Sequence, residues 1–361
     1  MKALLFVPRR YSLFSIFREA FANQGMEVHT IDFYEQVKNW EKQFNVQVFR
    51  LPHRLRRQWE RYYFGKINKY YLEEYDRIQP GIVFIYNNEM ILPDTLAHFR
   101  RKSKVAFFMG DHPFYTQTDR HYIGLLFQAD AVFAPDTFWI SQLSKMGLKN
   151  IHYLNPGIPE RDYFPAGLTE EEREAYRSEV LYIGMNYPNS WGYRKAKFIN
   201  EFADFGLQIH GNRHWKRFFP LFPKLERCFQ ERKGYIPVET VNKMYNATRI
   251  VPIDGNPGLM HGVHLRMFEA LGAGALPLLE WQEDLRLIFG EGAELPAVRS
   301  YEEIPEMAAF YLNNEAARRE KVAWMKKVAA EKYSAENLEK TIFGALGLRR
   351  SRMAKHGEVA G

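Results

Sequence analysis

One cysteine, Cys228, stands in a chain of 361 residues. A disulfide framework is therefore excluded, and a reducing compartment is the natural setting. The lone thiol is expected to pack as a small apolar filler rather than to act as a nucleophile. No stretch is both long and free enough of charge to span a bilayer. The opening MKALLFVPRR has only a short apolar run before Pro8 and two arginines, too brief for a signal peptide, so it reads as a buried first strand. Together these absences predict a cytoplasmic protein. No Asp-x-Asp pair occurs, although Mg²⁺ shared with substrate phosphates is commonly held by one or two loop carboxylates. No His/Cys cluster has zinc spacing. The expectation is metal-independent chemistry with no cofactor beyond the substrates.

The charge balance favours cations, 50 Lys and Arg against 43 Asp and Glu, a net +7. That suits an anionic partner, whether nucleotide phosphate, membrane surface or nucleic acid. The length is comfortable for two α/β domains, and 28 Phe and 21 Tyr supply large cores.

Strand and helix patterns alternate. KALLFV, MEVHTIDF, GIVFIYNN, VAFFMGD and DAVFAPD read as strands, each followed by helical sequence. Residues 34–78 read as a long polar-aromatic helical stretch broken near Pro52. IHYLNPGIPERDYFPAGLTEEEREAYRSE, rich in Pro, Gly and charge, reads as a linker. A second alternation follows: VLYIGM, LQIHG, RIVPI and ALPLLE as strands, with RKAKFINEFADFG, VETVNKMYNAT and HLRMFEALGAG as helices. The tail has two long helical stretches and a basic end, RRSRMAKHGEVAG. Continuous apolar strands joined by helices predict parallel sheets covered on both faces. In such sheets ligands bind at the carboxyl ends of the strands.

The run HGVHLRMFEALGAGALPLLE, from His261 to Glu280, concentrates the chemistry. DGNPGLMHG before it reads as a loop of turn residues, and a helix is expected to open near His261. A helix start offers unpaired N–H groups and a positive dipole end, which suits phosphate. Gly262 would let a phosphate approach the backbone, and Arg266 could add a charge-assisted bond. Glu269 is either a solvated helix carboxylate or one aimed at a ligand. Gly272 and Gly274 allow a tight exit and a close packing contact.

GVHLRMFEALGAGALPLL resembles the nucleotide-sugar motif of GT-B glycosyltransferases, and is most similar to the CgeB-like (spore maturation protein) branch of the GT-4-like group. The resemblance implies an α/β GT-B architecture. This comprises two Rossmann-like doubly wound domains facing a central cleft, with C-terminal helices packing back toward the N-terminal domain. The expected boundaries are an acceptor domain over 1–158, a nucleotide-sugar domain over 159–335, and a C-terminal helix with basic tail over 336–361.

The same resemblance covers residues 150–290. LNPGIPERDYFPAG is similar to the interdomain segment, VLYIGM ends on a glycine loop near the donor phosphates, and GYIPVETVNKMYNATRIVPI resembles the stretch that cups the base. It implies a donor site built from Gly184, Asn186, Arg194, Gly211, Tyr235, Ile236, His261, Gly262, Val263, His264, Arg266 and Glu269. Glu269 takes the position of the carboxylate that holds the ribose hydroxyls. His261 stands where the family has a second glutamate toward the donor sugar; a histidine can still donate or accept there. Read from the residues alone, Arg266 could equally be a surface ion pair, His261 a plain loop residue, Gly184 a plain turn, and Tyr235 and Ile236 core.

The function so implied is transfer of a sugar from a UDP-, GDP- or dTDP-linked donor to a glycan, protein or lipid-linked acceptor. The alternative is a non-catalytic GT-B-like structural or coat protein. In the N-terminal half, FFMGDHP places Asp111 and His112 directly after a strand. They are the candidate catalytic residues, Asp111 as base toward an acceptor hydroxyl, though Asp111 could instead initiate the turn. Asn87, Asn88 and Glu89 end another strand, and Arg9 and Arg10 follow the first. RLPHRLRRQWERYYFGKINKYY, residues 50–71, interleaves basic and aromatic side chains. It reads as a helix with a solvated face or as a peripheral contact with the inner membrane face; nucleic acid is not expected.

Overall fold

The structure, a computed structural model, describes residues 1–32, 35–87, 90–114, 121–256 and 258–348. Asn88, Glu89 and the basic end RRSRMAKHGEVAG lie outside the described residues.

The chain forms two compact units. The first holds strands β1 Lys2–Phe6, β2 Glu27–Ile31, β3 Ile82–Tyr86, β4 Lys104–Phe108, β5 Ala131–Ala134 and β6 Ile151–Tyr153. They pair in parallel in the order β2-β1-β3-β4-β5-β6. The second holds β7 Ser178–Ile183, β8 Leu207–Gly211, β9 Phe229–Glu231, β10 Thr248–Ile253, β11 Leu276–Glu280 and β12 Ala297–Val298. Their order is β12-β11-β10-β7-β8-β9, again parallel throughout. A parallel sheet needs crossover helices on both faces, which explains strands such as IVFIY and AVFA that are buried at every position.

The strand orders reverse between β1 and β3 in the first unit and between β7 and β10 in the second. The second order is that of the dinucleotide-binding fold, and such switch points open a crevice at the carboxyl ends of the strands.

In the first unit, helix α1 Ser12–Ala22 packs its Phe17 and Phe21 on Phe84. The polar-aromatic stretch divides into α2 Asn39–Gln47, a 3-10 turn Val48–Arg50, and α3 His53–Ile78, with Pro52 capping the last. Proline there ends one element and starts the next, as its fixed φ and missing N–H require.

Two expectations are corrected. IHYLNPGIPERDYFPAGLTEEEREAYRSE is not a plain linker: Ile151–Tyr153 is the sixth strand of the first sheet, and Glu170–Tyr176 is a helix. Thr169 caps that helix by accepting from the Glu172 N–H (3.1 Å), while the Glu172 side chain accepts from the Thr169 N–H (3.1 Å), a capping box legible as Thr-Glu-Glu-Glu. The tail contains three helices, Ile304–Asn313, Glu315–Lys332 and Ala335–Ala345, because Asn314 and the Tyr333–Ser334 pair interrupt the pattern.

The last of these helices is counted with the first unit. Buried Glu339 accepts hydrogen bonds from Asn23 Nδ2 (2.9 Å) and Gln24 Nε2 (2.6 Å), and Phe343 meets Phe21 edge-on at 5.1 Å. The C-terminal helix thus packs back on the N-terminal unit, as expected. Phe343→Ala removes a fully packed ring and should lower the unfolding free energy of this unit by about 3–4 kcal/mol in a urea titration; an unchanged midpoint would show that the helix is not docked.

Candidate functional site

The second unit gathers its polar chemistry at the switch point between β7 and β10. Asp254 is the residue directly after β10 and is buried. Its Oδ1 accepts from the Tyr182 hydroxyl (2.8 Å) and lies 3.4 Å from Arg266 Nη1; its Oδ2 lies 3.3 Å from Lys195 Nζ. Lys195 also donates to the Met185 carbonyl (3.1 Å) and stands over the Tyr187 ring. The Arg266 guanidinium lies over the Tyr182 ring at 5.0 Å.

Burial alone would raise the Asp254 carboxyl, but Lys195 and Arg266 overcome it and hold the pKa at about 2. Burial likewise opposes the charge on both cations. Asp254 beside Lys195, and the Tyr182 ring face with the Asp254 and Glu269 carboxylates around Arg266, keep both protonated, with values above the ordinary ones. His264 is pushed the other way: burial first, then the Arg266 charge, lower it to about 3, so it is neutral. Its Nδ1 accepts the Arg266 N–H (3.1 Å), satisfying one donor at the helix start. Two cations therefore share one carboxylate in a low-dielectric pocket.

The helix begins at Arg266, not near His261 as the sequence suggested. The N–H groups of Met260, His261 and Gly262 instead converge on Asp136 Oδ2, at 2.7, 3.0 and 2.9 Å. Gly262 is needed because a Cβ there would come within 2.5 Å of the Pro135 carbonyl. The close approach expected for a phosphate is thus made by the chain's own carboxylate. Val263 is buried beside it.

His261 Nδ1 is 3.0 Å from Thr137 Oγ1, and both the N–H and the hydroxyl of Thr137 meet the Asp284 carboxylate, at 3.0 and 2.5 Å. With Asp284 ionised, the hydroxyl donates to it and must accept from His261. Nδ1 then carries the proton and Nε2 is an acceptor. Burial raises the Asp284 pKa, against the pull of Thr137.

Other expected residues fall nearby in the second unit. Arg194 pairs with Glu280 (2.5 Å), which also accepts from the Gly255 N–H (2.7 Å) and Tyr301 hydroxyl (2.8 Å). The Asn186 N–H donates to Asn212 Oδ1 (3.0 Å) and its carbonyl accepts from Asn212 Nδ2 (3.2 Å), tying the loops after β7 and β8 together. Gly184 and Gly211 leave room for Tyr182 and Trp215, whose rings a Cβ would strike; Trp215 Nε1 donates to the Gly184 carbonyl (3.0 Å). Glu269 is half-buried, with its charge bearing on Tyr163, Tyr245 and Arg266. Gly274 ends the helix in the left-handed conformation, and Gly272 admits the Tyr163 carbonyl.

Tyr235 and Ile236 line a cavity of about 560 Å³ together with His210, Arg232 and Gln230. Arg232 Nε donates to His210 Nδ1 (3.1 Å), leaving Nε2–H as a buried donor with no partner among the described residues. Burial, aided by Arg232, lowers this histidine to about 4.

Asp111 and His112 lie in the first unit, after β4. Asp111 accepts from Asn87 Nδ2 (2.6 Å), and the surrounding protein raises its carboxyl pKa against that bond. His112 Nδ1 accepts from the Phe114 N–H (3.1 Å). Among the described residues no group of three His, Cys, Asp or Glu could hold a metal.

Residues 194–342 match the family described as glycosyl transferase-like. No curated protein sequence matches the chain. Sucrose-phosphate synthase from Thermosynechococcus elongatus is similar in structure, with TM-score 0.66 and 11% identity over 95% of this chain and 98% of that one. HepE from Anabaena, in complex with UDP and glucose, gives 0.60 and 11% over 96% and 99%. MnaA from S. aureus, with UDP, gives 0.56 and 11% over 96% and 97%. The fold is that of the GT-B glycosyltransferases.

Sequence reasoning missed Lys195, Asp254, Tyr182, Asp136, Thr137 and Asp284. In the sequence Asp254 reads as a turn residue, and its place directly after a strand that reads as buried is the usable signal.

Because His264 titrates below the ordinary histidine value of about 6.5, the unfolded chain takes the proton first. The stability owed to neutral His264 is complete above that pH and is lost as pH falls toward 3. His264→Asn keeps an acceptor for the Arg266 N–H and removes the titration. In denaturant titrations the variant should lose about 2 kcal/mol less than wild type between pH 7 and pH 4.5; parallel pH profiles would contradict this assignment.

Proposed function

We propose that this protein transfers a sugar from a nucleoside diphosphate donor to an acceptor hydroxyl, without a metal ion. The observation that carries the reading is the pair of buried cations at the β7–β10 switch point, Lys195 and Arg266, which share Asp254 while His264 stays neutral. Two fixed cations beside a strand end suit a diphosphate. The family match over this region and the UDP-bound structural neighbours support a nucleotide-sugar as its source.

In the transfer, the acceptor oxygen bonds to the anomeric carbon as the bond from that carbon to the β-phosphate oxygen breaks. The departing diphosphate gains negative charge, and fixed cations stabilise it without reorganising. Glu269 takes the ribose hydroxyls, and the base lies against Tyr235 and Ile236, where the His210 Nε2–H can meet a base carbonyl. His261, held by Thr137, presents Nε2 as acceptor to a sugar hydroxyl. If the reaction inverts configuration, Asp111 is the base that takes the acceptor's proton. Its raised pKa suits that task.

Calorimetry with UDP, GDP, dTDP and their sugars tests the reading. Lys195→Met and Arg266→Met should each weaken diphosphate binding at least about tenfold. Binding of the matching unphosphorylated nucleoside should be unchanged, which separates charge loss from misfolding. Absence of heat with every nucleotide, for folded wild-type protein, would favour a non-catalytic structural role. Glu269→Gln should weaken the ribonucleotide about tenfold and leave the 2′,3′-dideoxy analogue unaffected; equal losses for both would remove Glu269 from the ribose.

A further inference from the structure

A surface of the first unit, formed by α2, the turn Val48–Arg50 and the start of α3, plays no part in the donor chemistry. Trp40, Phe44, Leu55 and Tyr62 are 54%, 41%, 53% and 51% exposed. They are not scattered. Trp59 touches Trp40 at 5.9 Å, Phe44 at 4.6 Å and Tyr62 at 5.6 Å between ring centroids. Trp40 and Phe44 are four apart on α2, while Leu55, Trp59 and Tyr62 follow one face of α3. Val46 adds aliphatic surface.

The patch is built rather than loose. Buried Glu41 accepts from the Lys38 N–H (2.8 Å), the Tyr62 hydroxyl (3.1 Å) and Lys66 Nζ (2.8 Å), which clamps α2 onto α3. Lys66 holds that carboxyl below the usual range. Trp59 Nε1 donates to Asn45 Oδ1 (3.1 Å). The rings are therefore held outward at a standing cost in exposed apolar area.

The rim is cationic. From Lys38 to Lys69 the chain has nine Lys or Arg and two Glu. Both carboxylates are already paired, Glu41 with Lys66 and Glu60 with Arg56. Exposed Arg54, Arg57 and Arg61 make no ion pair among the described residues. Among those residues no helix is long and apolar enough to cross a membrane, so an apolar contact here is made from the surface.

We propose that this face docks the protein on an anionic phospholipid bilayer, with Trp40, Phe44, Leu55 and Tyr62 at the headgroup–acyl boundary and Arg54, Arg57 and Arg61 on lipid phosphates. Aromatic rings with one apolar and one wet end favour that boundary, and anionic headgroups attract flanking cations. Nucleic acid fits less well. Base stacking needs free ring faces, whereas these rings pack on one another, and Leu55 and Val46 offer a base nothing. The proposal stands without the sugar-transfer reading.

The test is flotation of the full chain with phosphatidylcholine vesicles, with and without phosphatidylglycerol, across a salt series. Wild type should float with the phosphatidylglycerol vesicles only, and brominated lipid should quench its tryptophan fluorescence. The triple variant Arg54→Gln, Arg57→Gln, Arg61→Gln should lose binding at least about tenfold. Trp40→Ala with Phe44→Ala should lower binding and remove the part that survives high salt. Both variants change exposed side chains, and unchanged circular dichroism and melting midpoint confirm their fold. No flotation of wild type at low salt, equal flotation of the variants, or displacement from vesicles by an RNA homopolymer at equal phosphate would each overturn the proposal.

Discussion

A single carboxylate, Asp254, organises the second unit's site. It must serve a tyrosine hydroxyl and two cations at once, and it cannot neutralise both. Burial makes each of the three charges costly, since removing one partner leaves the others unpaired in a poor solvent for ions. Lys195 comes from the helix after β7 and Arg266 from the helix after β10. The carboxylate thus ties together the two segments that flank the switch point. One buried interaction therefore holds both segments in place.

A few residues on, the same loop shows the opposite arrangement. Three successive N–H groups form a concave donor set of the kind that binds phosphate, yet Asp136 fills it. Filled in this way, the loop is fixed in place, and its fixed carbonyls and side chains position other groups. The Asp284 N–H donates to the His261 carbonyl (3.0 Å), and Asp284 then aligns Thr137 beneath the imidazole. Asp136 is close enough to raise the cost of the Asp284 charge, so the cluster depends on its hydrogen bonds being complete.

How much of this was legible follows from which signals are local. The long apolar strands and the parallel α/β sheets are readable because their periodicity and order depend on nothing distant; the GT-B architecture is legible through the resemblance of one contiguous motif. The three strands missed, β6, β9 and β12, are three, three and two residues long. They sit at sheet edges, where pairing on one side supplies what their sequence does not. At the site, Arg266 and Glu269 were visible through a contiguous motif. Asp254 looked like a turn residue because its partners are 72 and 59 positions earlier and 12 later, at Tyr182, Lys195 and Arg266. Asp136 lies 126 residues from Gly262. A carboxylate's role depends on what surrounds it in space, and no periodicity encodes that.

The two sheets also differ in what their switch points offer an anion. At the carboxyl end of β1, the Arg9 N–H donates to buried Asp32 (2.9 Å), and the Arg9 side chain faces Glu35 at 3.9 Å. At the end of β3, Asn87 adopts a left-handed φ of 37°, which asparagine tolerates better than most residues. From there its amide donates to Asp111 and accepts the Gly110 N–H (2.7 Å). Here cations already meet carboxylates, and one carboxyl is drawn toward its neutral form. An anion gains little from such an end, where the side-chain charges are already met by carboxylates. The second switch point is built differently: Lys195 and Arg266 share buried Asp254, Glu269 also acts on Arg266, and His264 stays uncharged.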